Sequence, residues 1–400
     1  KKNLFLLFAS EGISKAISFF VIIYVARNLG AHEFGYWAYA SSLLVFFQLF
    51  SSFGLDIYAM VESNKDLSKR SFIISNIVFM KSVLFATSFF LMLVLLFWFD
   101  VNTKVTTLLV VLSIGSYVAS FSPVWFYQIV GEFDTISIIK LLQALFYSIC
   151  LYFLFQYSVE IVWMGYAYLF SYSMVFLLYA RKFLKFFTFD KIDIKKWSVI
   201  LKSAFFLGAA LFMTEIYGSM DKVMIGTFLP KYYAGWYEAA YKIYTLVLIS
   251  FGLVWTVFAP KVANKSLKEY RNFTYVILLI ALFSSLIMIV AHNLLVDFFY
   301  GAGYEPTKSL FIWFGISAIV VAFSYMFSAP LALFSKEKEW FSIVLYSAVI
   351  NFILNLLLIP FFDLQGAVFA TIISELYVAI AAYRVIKKEI PLSFSPASIV

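Results

Sequence analysis

Apolar runs about as long as a membrane is thick follow one another along the whole 400-residue chain, separated by short polar breaks. A spanning helix needs about 20 predominantly apolar residues. Twelve stretches qualify, at roughly 4–27, 34–60, 72–99, 105–130, 134–157, 160–182, 200–226, 232–259, 272–291, 307–334, 339–360 and 366–386. The longest break, FLKFFTFDKIDIKKWSV at 183–199, is basic and divides six helices from six. The pattern predicts an all-α polytopic membrane protein with an N-terminal lobe over 1–182, a connecting loop over 183–199, a C-terminal lobe over 200–388 and a tail over 389–400.

The two halves echo each other. Leu29-Gly30-Ala31-His32-Glu33-Phe34-Gly35-Tyr36-Trp37 stands 200 residues before Leu229-Pro230-Lys231-Tyr232-Tyr233-Ala234-Gly235-Trp236-Tyr237. Pro123 and Pro330 fall in the fourth and tenth spans, equivalent places in two six-helix halves. Proline removes a backbone bond and kinks a helix, and paired interruptions of this kind point to a working cavity in transporters. The plainer alternative is that proline is common in membrane helices.

Composition agrees with lipid as solvent. Apolar residues make up 64% of the chain and charged residues 13%, and mean hydropathy is +0.93. A β-barrel would show short alternating segments instead. No cleavable signal peptide is expected, since the first apolar run is itself long enough to span. Cys150, the one cysteine, lies in an apolar run and reads as a packing residue. With the N-terminus placed in the cytoplasm, 21 of the 30 Lys and Arg fall on the cytoplasmic side and four, Arg27, Lys104, Lys231 and Lys308, on the other. That asymmetry follows the positive-inside rule and places both ends in the cytoplasm. The net charge of +8 then reflects orientation, with the basic 183–199 loop meeting anionic headgroups, and calls for no nucleic acid. Trp and Tyr near span ends (Trp37, Trp98, Trp163, Trp236, Trp340) fit interfacial belts.

The remaining charges lie within the spans. The first half holds Lys15, Lys81 and Lys140 against Glu11 and Asp56, with Arg27 at the outer end of the first helix. The second holds Lys222 and Lys242 against Glu215, Asp221, Glu238 and Glu375. A charge at the bilayer centre costs at least about 2.5–3.5 kcal/mol, so these groups should face water or each other. Glu11 with Lys15, and Glu238 with Lys242, are four apart with Glu first, the favourable order for a local bridge. Snorkelling to the interface is the competing reading, strongest for Lys81, Lys140, Asp56 and Glu238. The cationic first half suits a phosphate-bearing substrate. The acidic, amide-rich second half, with Asn351 and Asn355 on one face and Thr371 in the next span, suits a coupling cation. The alternative is that the amides are packing glue between helices.

Several chemistries find no support. The chain has no G-x-x-x-x-G-K-[ST] loop, and its two histidines, His32 and His292, are far apart in sequence. No outer loop is long enough to house a catalytic site, which favours transport over membrane-embedded catalysis and implies no resident cofactor.

One family resemblance gathers these features. The chain resembles the bacterial polysaccharide (O-antigen type) flippases of the multidrug/oligosaccharidyl-lipid/polysaccharide exporter superfamily. The residues that carry it are Ala26-Arg27-Asn28-Leu29-Gly30 with Glu33-Phe34-Gly35, then Met220-Asp221-Lys222-Val223-Met224-Ile225-Gly226, Gly235-Trp236-Tyr237 and Ala239-Ala240-Tyr241-Lys242. Asn351, Asn355-Leu356-Leu357-Leu358-Ile359-Pro360, Gly366-Ala367-Val368 and Ala370-Thr371 complete it. The resemblance implies two six-helix lobes about a central cavity that opens alternately to each side. It implies translocation of an undecaprenyl-diphosphate-linked oligosaccharide across the cytoplasmic membrane for surface polysaccharide such as O-antigen, lipopolysaccharide or capsule. Other polysaccharide assembly proteins are the expected partners. The related lipid II flippases bind a cation among their seventh, eleventh and twelfth helices, where Asp221, Asn351, Asn355 and Thr371 fall here. The expected substrate residues are Lys15, Arg27, Lys81, Lys140 and Lys242. Those expected to serve a coupling sodium ion or proton are Glu215, Asp221, Asn351, Asn355, Thr371 and Glu375. A small-molecule multidrug exporter of the same superfamily, or a polysaccharide polymerase or ligase, are the competing functions.

Overall fold

The computed structural model of the chain is helical almost throughout, and it describes residues 2–99, 101–121, 124–264 and 266–389. Ten helical segments among these are long and apolar enough to cross a membrane. Two are broken midway, Lys2–Ser52 at Gly30 and Glu337–Glu389 at Asp363. Each break leaves two arms of spanning length, so the described residues hold twelve spans, the number the hydropathy pattern predicts. We name the arms of Lys2–Ser52 α1 and α2, and those of Glu337–Glu389 α11 and α12. Between them run α3 (Arg70–Trp98), α4 (Thr103–Ser120), α5 (Phe133–Tyr157) and α6 (Val162–Leu184). Then follow α7 (Trp197–Phe228), α8 (Lys231–Val262), α9 (Leu267–Val290) and α10 (Thr307–Ser328).

Each break has a local cause. Gly30 adopts φ 72°, ψ 168°, a conformation open essentially to glycine alone. Asp363 carries φ 50°, a strained value that Asp tolerates better than most side chains. Just beyond it the chain passes so close to the end of α11 that a Cβ on Gly366 would stand 2.4 Å from the Leu358 carbonyl oxygen. Helix starts are marked by capping side chains, Asn102 accepting from the Lys104 amide and Ser266 from the Glu269 amide. Pro330 does not kink a long helix as expected. It opens the 3₁₀ turn Ala329–Phe334 that closes α10. Its expected counterpart Pro123 lies outside the described residues, as do Lys1 and the tail from 390.

Contacts divide the chain into two compact units, Lys1–Glu215 and Ile216–Val400. The units part within α7, later than the polar break at 183–199. In the first unit the α1–α2 pair packs on α4 and α5, and α6 packs on both of these. The first half of α7 belongs here, because Gly54 and Gly208 let two backbones meet. A Cβ on either would fall within 3 Å of the other segment's backbone. An apolar cluster around Leu55, Ile74, Ile77, Phe126, Ile139 and Phe183 fills this end of the unit. The 183–199 stretch is fixed against α3. Asn76 donates to the Phe72 and Lys191 carbonyls and accepts from the Asp193 amide and the Trp197 indole. In the second unit α10 is central, packed against α8, α9 and the α11–α12 pair. Bulky side chains such as Phe97, Phe206 and Phe361 are left exposed, as a lipid-facing surface requires.

The close passage at Gly366 yields a stability prediction. Gly366→Ala should destabilise by about 1–3 kcal/mol, because backbone atoms must move to admit the methyl group. Gly252→Ala, whose Cβ would meet open space, should be neutral or stabilising by about 0.5–1 kcal/mol. Thermal unfolding of the purified variants in detergent checks this, and equal midpoints would refute the close-packing argument.

Candidate functional site

Ionisable side chains within spans must find partners or water, so their partners reveal what each can do. In the first unit Glu11 stands between two lysines. Its Oε1 is 3.3 Å from Lys15 Nζ on the same helix, and its Oε2 is 3.5 Å from Lys140 Nζ on α5. The side chains of all three are about a third to a half exposed. Arg27 is exposed near the Gly30 end of α1. Lys81 behaves differently. It is 1% exposed, 2.5 Å from Asp56 Oδ1, bonded to the Ser120 carbonyl at 3.0 Å and set 5.4 Å from the Trp125 ring centroid. That packing leaves no room for the competing interface-seeking conformation, since the ammonium is satisfied inside the unit by Asp56, Ser120 and Trp125.

The second unit repeats the acid-between-lysines arrangement at greater depth. Glu238 is 3% exposed, with Lys242 at 2.9 Å one turn on and Lys222 of α7 at 3.5 Å. The bridge to Lys242 that the four-residue spacing suggests is present, and Lys222 adds a second cation from another helix. Beside it Asp221 accepts from the Tyr237 hydroxyl at 2.5 Å and from the Lys222 amide at 2.7 Å. Tyr241 stacks on Tyr237 and lies beneath the Lys222 ammonium, 4.9 Å from ring centroid to nitrogen. Residues 221–242 therefore form one charged network across α7 and α8.

A second polar network links α8, α10, α11 and α12. Tyr244 hydrogen-bonds Ser317, and Ser324 donates to Glu375. Ser347 donates to the Ser374 carbonyl, Asn351 to the Ser374 hydroxyl, and Asn355 to Asn351 Oδ1. Thr371 turns its hydroxyl back to the Ala367 carbonyl of its own helix. Asn355 is fully buried, yet its Oδ1 accepts no hydrogen bond. A buried acceptor without a donor is costly. The structure thus brings Asn351 and Asn355 together, next to Thr371 and Glu375 on α12. It does not join Asp221 to them by any hydrogen bond among the described residues. Glu215 is half-buried on α7, the last residue of the first unit. No group of three His, Cys, Asp or Glu side chains among the described residues could hold a metal ion.

Sequence reasoning missed the cross-helix partners. Tyr237, Ser324 and Ser374 complete networks whose charged members were already suspect. A further buried cluster in the first unit went unread. Gln48 donates to Ser116, Tyr168 is hydrogen-bonded to both and to Tyr172, and Tyr172 meets Gln143. The available signal was the same as for Asn351 and Asn355, namely amides inside apolar runs.

Comparison with known proteins places this arrangement. The family described as "Polysaccharide biosynthesis protein" matches residues 1–264. No curated protein matches the chain. Among solved structures, the lipid II flippase MurJ in an inward closed conformation superposes with a TM-score of 0.77 at 17% identity, over 96% of this chain and 87% of that one. An inward-facing multidrug resistance MATE family transporter of the MOP superfamily gives 0.74 at 13%, over 96% of each chain. A MOP superfamily transporter from Pyrococcus furiosus, whose binding pocket is described as reversed in polarity, gives 0.57 at 14%, over 97% and 94%. At these identities the likeness shows a shared fold.

The Asp56–Lys81 pair can be separated from the accessible charges by mutation. Asp56→Asn leaves a buried ammonium unpaired and should cost about 2–4 kcal/mol, somewhat below the full penalty because Asp56 is partly exposed. Lys81→Met should cost less, since Asp56 can turn to water, and the double variant should recover most of the loss. A double-mutant cycle on thermal unfolding in detergent measures this, and additive losses would contradict it.

Proposed function

Because the chain belongs to the polysaccharide biosynthesis protein family and carries the fold of MOP superfamily transporters, we propose that it is a flippase for polyprenyl-diphosphate-linked oligosaccharides. It moves the lipid-linked unit across the bacterial cytoplasmic membrane for surface polysaccharide assembly, with both termini in the cytoplasm. The observation that carries the reading is the pair of half-exposed lysines in the first unit, Lys15 and Lys140, set within a span where a charge needs a purpose. An ammonium pair compensated by one carboxylate keeps a net positive charge, which suits a diphosphate. Arg27 on the same helix as Lys15 and the half-exposed Lys242 in the second unit add cations along the route. Lys81 has no place in this clamp, being spent on Asp56. A lipid II flippase among the structural neighbours fits a lipid-linked substrate. A multidrug exporter also shares the fold, but it has less use for paired lysines.

Transport of so large an anion by alternating access needs a driving force, and an ion gradient is the source the second unit suits. The oxygen-rich α11–α12 locus of Asn351, Asn355, Thr371 and Glu375 fits a hard cation such as sodium. The donorless Oδ1 of Asn355 is the atom that speaks for it. Asp221 serves the neighbouring charged network with Tyr237, Glu238 and Lys222. A coupling ion reaching α11–α12 would act on it through α8.

Charge removal tests the clamp. Lys15→Ala, Arg27→Ala and Lys242→Ala should each reduce surface-polysaccharide assembly by about tenfold at equal expression, the loss of one charge-assisted contact. Full retention in all three would refute the clamp. For coupling, Glu375→Gln and Asn355→Ala should flatten the response of transport in proteoliposomes to imposed sodium or proton gradients. Asp221→Asn should also alter that response, and a normal response would remove Asp221 from the scheme.

A further inference from the structure

The two units each hold a glutamate between two lysines, but only one of these triads can be reached. Glu238 is 3% exposed and approached by Lys242 to 2.9 Å. Glu11 is 38% exposed, Lys15 53% and Lys140 32%. Both contacts of Glu11, at 3.3 and 3.5 Å, exceed the roughly 2.7–2.9 Å of a tight charge-assisted hydrogen bond. Its two carboxylate oxygens divide the work, one to each lysine, and the lysines come from different helices. Two oxygens of a phosphate group present the same bite with more negative charge.

Resting on the flippase reading, we propose that Glu11 is a place-holding counter-ion, displaced when a phosphate group of the substrate enters between Lys15 and Lys140. While the site is empty, the carboxylate keeps two cations from facing each other uncompensated inside the membrane, where like charges repel strongly. When the diphosphate arrives, its oxygens take over both ammonium groups, and Glu11, already 38% exposed, swings aside. When the substrate leaves, the carboxylate returns and competes for the same two nitrogens. Glu11 therefore weakens binding and eases release. A transporter benefits from both, because a site must be favourable enough to fill and shallow enough to empty. Glu238 cannot act in this way, since its burial leaves no room for an incoming phosphate and no water for a displaced carboxylate.

The test measures binding of a short-chain polyprenyl diphosphate, and of inorganic pyrophosphate, to the purified full chain in lipid nanodiscs. The matching polyprenyl alcohol serves as control. Glu11→Gln should tighten binding of both phosphate probes by about tenfold, while Lys15→Gln and Lys140→Gln weaken it by a similar factor. In the Lys15→Gln/Lys140→Gln background, adding Glu11→Gln should change nothing. If Glu11→Gln fails to fold, Glu11→Asp should tighten binding by a smaller factor through its shortened bridge. Weaker or unchanged binding in Glu11→Gln, with the wild type binding normally, overturns the counter-ion role and leaves the flippase reading intact. Failure of the wild type to bind either phosphate probe overturns the flippase reading and this inference with it. Tightening for the lipid probe alone would also overturn the inference, since the contact it describes is made by the phosphate.

Discussion

The structure depends on one constraint, that a polar group within the bilayer must be satisfied by the protein itself. The backbone meets it by forming helices from end to end, and the two breaks inside long helices occur where local residues permit them. Gly30 takes a conformation that other residues avoid, and Asp363 bends the chain onto Gly366, where backbone touches backbone. Side chains meet the same constraint by pairing. Lys81, Glu238 and Asn76 are each almost fully buried, and each sits among several partners. Buried oxygens without a hydrogen bond, such as Asn355 Oδ1 and Glu238 Oε2, are few among the described residues, and Glu238 Oε2 has Lys222 within 3.5 Å.

The constraint also separates buried, fully paired charges from accessible ones. A buried pair gains little net stability over an apolar replacement, but losing one partner is costly. Asp56 with Lys81 fits that description and reads as architecture. Glu11, Lys15 and Lys140 satisfy one another only loosely and remain accessible. The same sequence pattern, Glu followed by Lys four residues on, therefore has two meanings in this chain. On α1 it is partly exposed, and on α8 its glutamate is buried against Lys222, which lies over Tyr241. The difference arises from which helix packs across the pair, and sequence spacing does not encode that.

Much of the fold was legible because its determinants are local. Twelve apolar stretches, the Glu–Lys spacings and the paired asparagines depend only on helical period and length. Partners on other helices were not legible, since they depend on how each helix is rotated about its axis. Lys140 reaching Glu11, Lys222 reaching Glu238 and Ser324 reaching Glu375 are all of this kind. The hydrogen-bond partners of Asp221, Asn351 and Asn355 were hidden for the same reason. Helices adjacent in the family plan need not turn those side chains towards one another, and here Asp221 is taken by Tyr237. The polar break at 183–199 looked like the seam between halves because polar sequence usually marks a linker. Asn76 instead binds that stretch firmly to α3, and the compact units part within the continuous helix α7.

The continuous helix α7 runs from the first unit into the second. Its first half is locked into the first unit at the Gly54–Gly208 crossing, and its second half carries Asp221 and Lys222 into the charged network of the second. The charged network around Asp221 and the Glu11–Lys15–Lys140 triad therefore belong to different units, and each is satisfied by partners within its own unit. A polar group held this way depends on the helices of one unit only, which is why the same demand for internal partners could be met twice along the chain with different burial.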